Sequence, residues 1–132
     1  MNHSCIRDCT LSSAPMICEY DWFLELYSTL SRACYKCPEN YDDCFKENCI
    51  LADGIMKSIE TINRMLPGPA IQVCIGDTVV VNIKNILRSQ RVTSIHWHGV
   101  KVRGSPHMDG VGMVTQCPIV PNSEFQYKYI NI

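Results

Sequence analysis

Long apolar runs are missing from this chain. No stretch of about 18 uninterrupted apolar residues occurs, which excludes a membrane-spanning helix. The opening Met1-Asn2-His3-Ser4-Cys5 lacks the charged-then-apolar pattern of a secretory leader. An excess of one charge is missing too. The formal net charge is −1, with no basic block and no acidic tail, so neither nucleic acid nor an anionic membrane is suggested as a partner. Internal repeats, low-complexity tracts and a convincing amphipathic helix are also lacking. Histidine is scarce, at 4 among 132 residues, a length that suits one domain.

Cysteine is abundant. There are 9, and Cys5, Cys9, Cys18, Cys34, Cys37, Cys44 and Cys49 all precede residue 50. Such density signals disulfides and an oxidising compartment. It conflicts with the absent leader: either the true N-terminus has been lost, or the thiols stay reduced and do something else. The odd number leaves at least one cysteine free or paired outside the chain. Cys34-x-x-Cys37 with Cys44 and Cys49 admits two readings, a four-thiolate zinc site or disulfides stapling a loop-rich segment, and the wide second pair favours the staples.

Turn residues divide the rest into short β-rich runs. Residues 1–18 read as an irregular extension in which Asn2-His3-Ser4 weakly matches a glycosylation acceptor. Tyr20 to Leu30 fits a strand face or a helical stripe equally well. Ile55 to Ile62 alternates as a strand, Pro67-Gly68-Pro69 breaks the chain, and Ile71 to Ile75 is a short β-rich run. Thr78 to Ile86 is the clearest strand, Val114 to Ile119 is a further candidate with Cys117 buried or bonded, and Phe125, Tyr127 and Tyr129 alternate in the last. Short strands punctuated by turns imply an antiparallel sandwich or barrel.

The chemistry concentrates in Ser94-Ile95-His96-Trp97-His98-Gly99. In an extended strand, His96 and His98 share one face and Trp97 takes the other, toward the core. Two imidazoles roughly 6.6–7 Å apart at the backbone can share one metal or serve neighbouring ones. His107 reads as an exposed loop residue and His3 as a terminal one. Asp109-Gly110 reads as a turn or as a carboxylate beside the pair, and Met108 and Met113 as gap-fillers.

Pro67-Gly68-Pro69-Ala70-Ile71, Gly76-Asp77, Asn85, Ile95-His96-Trp97-His98-Gly99, Met108-Asp109-Gly110, Thr115-Gln116-Cys117-Pro118-Ile119 and Phe125-x-Tyr127-x-Tyr129 occur in that order. Together they resemble the first plastocyanin-like (cupredoxin) domain of multicopper oxidases. The cysteine-rich lead-in, with Ala33-Cys34-Tyr35-x-Cys37-Pro38 and Ala52-Asp53-Gly54, is similar to that of insect laccases in particular.

The resemblance implies an all-β, Greek-key cupredoxin sandwich or barrel over residues 51–132, incomplete at its C-terminus, behind an irregular cysteine-rich extension over residues 1–50. It implies copper as cofactor, with His96 on a type 2 copper and His98 on a type 3 copper, and only this half-site present. Asp109 matches the candidate catalytic carboxylate, orienting a ligand or water and supporting proton delivery. Dioxygen and a phenolic or Fe(II) reductant would be the partners of an intact, secreted enzyme. The family's second histidine pair and its electron-entry copper ligands are not in this sequence, and its counterpart of Cys117 can bond to a later domain. The chain therefore reads as a fragment, inactive alone, whose site is completed by further cupredoxin domains or another chain. The alternative is a non-enzymatic copper- or zinc-binding interaction module with a decayed cupredoxin domain. Open sheet edges in such a fragment imply poor solubility unless a partner covers them.

Overall fold

A computed structural model describes residues 3–88 and 90–132. Asn2, and with it the possible glycosylation acceptor, lies outside the described residues. Four strands form one sheet: β1 (Ile17–Ser28), β2 (Ser58–Ile62), β3 (Thr78–Asn85) and β4 (Glu124–Ile130), in the order β2-β1-β3-β4. β1 runs antiparallel to β2 and parallel to β3, and β3 runs antiparallel to β4. The expectation of β structure holds, whereas the purely antiparallel arrangement does not.

Alternation decides which face is core. In β1, Cys18, Tyr20, Trp22 and Leu24 are buried while Ile17, Glu19, Asp21 and Phe23 face out. This resolves the Tyr20–Leu30 ambiguity in favour of strand, because β-branched β3 offers a long neighbour to pair with. Val79, Val81 and Ile83 of β3 and Tyr127 and Tyr129 of β4 extend the same apolar surface. Its cover is a layer of loops carrying Ile95, Trp97, Val100, Val102 and Ile119. The opposite face is mixed, with Ile17, Phe23 and Ile130 exposed beside a polar centre where the Asn82 amide donates to Glu19 and Asp21 at 2.8 and 2.9 Å.

Three expected strands are absent, the histidine segment described below among them. Ile71 to Ile75 is irregular because other bonds claim its backbone: Cys74 is disulfide-bonded to Cys9, and its N–H donates to the Asp77 carboxylate at 2.8 Å. Val114 to Ile119 is a turn with isolated bridges, Thr93 to Ile119 and Gly112 to Gln116. Cys117 is exposed and unpaired rather than buried or bonded.

Eight cysteines form disulfides. Cys5–Cys18 and Cys9–Cys74 fasten the N-terminal segment to the sheet, and Cys34–Cys49 and Cys37–Cys44 staple the loop between β1 and β2. The zinc reading of Cys34, Cys37, Cys44 and Cys49 is thereby corrected, since a metal needs thiolates and these sulfurs are bonded to one another. The first fifty residues are also bound to the rest through β1, which lies inside the sheet.

A buried ion pair completes the anchor. Asp77 is fully buried and accepts from both guanidinium nitrogens of Arg7 at 2.7 and 2.9 Å, and from the Met16 and Cys74 N–H groups at 2.8 Å. The hydrogen-bonded Arg7 guanidinium, helped by these N–H groups and opposed by burial, holds the Asp77 carboxyl well below the usual carboxylate range. His3, expected to be a bare terminal residue, stacks on Tyr20 with ring centroids 4.2 Å apart.

Candidate metal centre

Among the described residues, the segment that carries the histidines belongs to no sheet ladder: Thr93 bridges Ile119, and His98 and Gly99 lie in a turn. Three side chains position it. Buried Asn85 donates to the carbonyls of Ile119 and Arg91 at 2.9 and 3.2 Å and accepts from the Leu87 N–H, fixing the loop that leads in. The Tyr127 hydroxyl accepts from the Ile95 N–H at 3.0 Å. Trp97 anchors the core side, packed between Trp22, Tyr127 and Tyr129 with ring centroids 5.2–5.9 Å apart.

Because Trp97 points inward, its neighbours point out. His96 and His98 are exposed on one side, their ring centroids 4.6 Å apart and their planes at 75°. The expected juxtaposition is therefore present, though a loop ending in a turn, and not a sheet strand, produces it.

Asp109 meets the pair from a separate loop. A short 3-10 helix, Pro106–Met108, delivers it, and its backbone carbonyl lies 2.8 Å from His96 Nδ1. A carbonyl can only accept, so Nδ1 carries the proton and Nε2 is left with its lone pair free. The Asp109 carboxylate is farther from the same nitrogen, at 3.4 Å. Its closest service to the pair is thus a main-chain one, which residue type alone does not disclose.

Gly110 makes the approach feasible. It is buried at φ +80°, and a Cβ there would fall inside the Ile95 carbonyl, 2.6 Å from its carbon and 3.2 Å from His96 Cα. Any side chain would push the Asp109 carbonyl off the imidazole. Sequence reasoning treated this glycine as a turn residue and missed its packing role. His107 is exposed on the 3-10 helix, as expected, while Met108 packs against the core.

Two outward imidazoles, one held in the Nδ1–H form by a carbonyl, are a donor set suited to a borderline metal such as copper. Among the described residues no third histidine, cysteine or carboxylate joins them into a three-ligand cluster. The residues fit part of a metal centre.

The fold places the chain among the cupredoxin-like domains of multicopper oxidases. It superposes on the laccase from Botrytis aclada with TM-score 0.66 at 31% identity, covering 92% of this chain and 18% of that one. The multicopper oxidase family model matches residues 44–131, most of the sequence, and the chain belongs to that family. It is 44% identical over 77 residues to Laccase-1 of Cryptococcus neoformans var. grubii, covering 58% of this chain and 12% of that protein. Over 68 residues it is 48% identical to the iron transport multicopper oxidase FET3 of Gibberella zeae, covering 52% and 11%. The chain therefore spans about an eighth of the length of the curated relatives it matches. Membership of the family implies copper.

Proposed function

We propose that this chain is the copper-holding first plastocyanin-like domain of a laccase-like multicopper oxidase. Residues 51–132 carry the site, and residues 1–50 lead into it and lend it β1. His96 would hold a type 2 copper through Nε2, and His98 would hold a type 3 copper. The observation that carries this reading is the Asp109 carbonyl on His96 Nδ1, the kind of hydrogen bond that fixes the tautomer of a metal-binding histidine and leaves Nε2 free to ligate.

The chemistry copper supplies when bound is one-electron transfer that couples oxidation of a reductant to reduction of dioxygen. The chain's own residues orient it. Trp97 locks the segment from the core, Asn85 and Tyr127 hold its backbone, and Gly110 admits the carbonyl. The Asp109 carboxylate, 28% exposed and 3.4 Å from His96 Nδ1, would orient water and pass protons. In the whole protein the substrates are dioxygen and a phenolic or Fe(II) reductant, and further cupredoxin domains or another chain complete the site. Four disulfides support an extracellular setting. No described helix is long and apolar enough to cross a membrane.

Visible and oxygen-uptake measurements on the copper-loaded chain test this. The expected result is no intense blue band and no turnover of phenol or Fe(II). Four-electron oxygen reduction by this chain alone would overturn the partial-site reading. The alternative, a non-enzymatic copper- or zinc-binding interaction module with a decayed cupredoxin domain, is favoured by no specific contact among the described residues.

A further inference from the structure

We propose that the outer edge of β4 pairs with the β4 edge of a second copy of this chain, antiparallel about a two-fold axis at Gln126. β4 is the last strand of the sheet order, and no described strand pairs with its outer side. It is seven residues long, with no proline and no bulge in its register with β3, and its only edge-protecting residues are the charged Glu124 and Lys128, which oppose each other's sign across a two-fold axis.

Backbone parity limits how two such edges can meet. The Asn85 N–H donates to the Ser123 carbonyl and the Asn131 N–H to the Asp77 carbonyl, so odd-numbered residues direct their polar groups toward β3. Glu124, Gln126 and Lys128 therefore direct theirs outward. An antiparallel pair must oppose outward residue to outward residue. Centring it on Gln126 places Glu124 of each copy opposite Lys128 of the other, on the polar face, twice by symmetry. The same register puts Phe125 opposite Tyr127 on the apolar face, an aromatic cross-strand pair on each side of the axis. Registers centred on Phe125 or Tyr127 also satisfy parity but contain no Glu–Lys pair. The self-complementarity of Glu-Phe-Gln-Tyr-Lys thus selects one register and one partner. Glu124 already meets Lys84 at 2.9 Å within the chain, and both are well exposed, so Lys128 of the other copy joins a pair that water screens.

Sedimentation equilibrium of the full chain in a Cys117→Ser background, which removes adventitious thiol coupling, tests the pairing. Reversible dimerisation at high micromolar concentration is expected. Lys128→Glu opposes like charges at both contacts and should weaken the dimer about tenfold, and adding Glu124→Lys should restore it. Gln126→Pro removes an N–H that β3 does not use, and should give a monomer with unchanged near-UV dichroism. Should Gln126→Pro perturb the fold, the charge pair still decides. A chain that stays monomeric throughout, or that dimerises equally well with Lys128→Glu, overturns the proposal.

Discussion

The backbone carbonyl of Asp109 and the imidazole of His96 are 2.8 Å apart, and this contact sets the protonation pattern of the candidate metal ligand. It depends on a glycine next door that lets two backbones touch.

That dependence is measurable by comparing two glycines of like conformation. Gly110 and Gly54 have φ of +80° and +79°, but a Cβ at Gly54 meets nothing within 4 Å. Gly54→Ala should lose about 1–3 kcal/mol of stability from backbone conformation alone. Gly110→Ala should lose more, and should also weaken copper binding. Equal losses in urea titrations would show that the Asp109 loop relaxes freely.

Stability should follow the ionisation of Asp77. Its folded pKa lies below the unfolded value of about 3.9. The folded state therefore binds fewer protons, and the contribution is complete above about pH 4 and lost as pH falls through the folded value. The urea midpoint of the native chain should drop steeply below pH 4. In Asp77→Asn it should be lower at neutral pH and flatter in acid. Parallel profiles would remove Asp77 from the account.

Thiol titration reads the cysteine pairing directly. Unreduced protein should show one reactive thiol, Cys117, and reduced denatured protein nine. Replacing Cys9 and Cys74 by alanine opens a closure spanning 65 residues and should cost about 4 kcal/mol by the chain-entropy estimate.

Trp97 should prove to be a packing residue. Its indole N–H is buried without a partner, so Trp97→Phe removes an unsatisfied donor while keeping an aromatic ring. Trp97→Ala should cost about 3–5 kcal/mol, and Trp97→Phe distinctly less. The reverse order, by thermal or denaturant unfolding, would mean that the N–H makes a bond of its own.

Much of this was legible in the residues. Valine and isoleucine from Thr78 onward mark β3 because β-branched side chains suit a pleated, buried surface. Phe125, Tyr127 and Tyr129 mark β4 by period two. The facing of His96 against Trp97 follows from the same alternation. What stayed hidden depends on contacts distant in sequence. Arg7 meets Asp77 across 70 residues, and no local pattern announces it. The run Ile71 to Ile75 has strand composition, but its Cys74 is tethered elsewhere. Gly110 looks like any turn glycine until the Ile95 carbonyl is seen where its Cβ would be.

Cu(II) titration followed by electron paramagnetic resonance tests whether His96 and His98 form one half of a copper centre. The native chain should take up Cu(II) weakly, with nitrogen splittings from imidazole, and His96→Ala and His98→Ala should each weaken that signal without altering the fold. Undiminished binding with the same nitrogen pattern in both variants would contradict it.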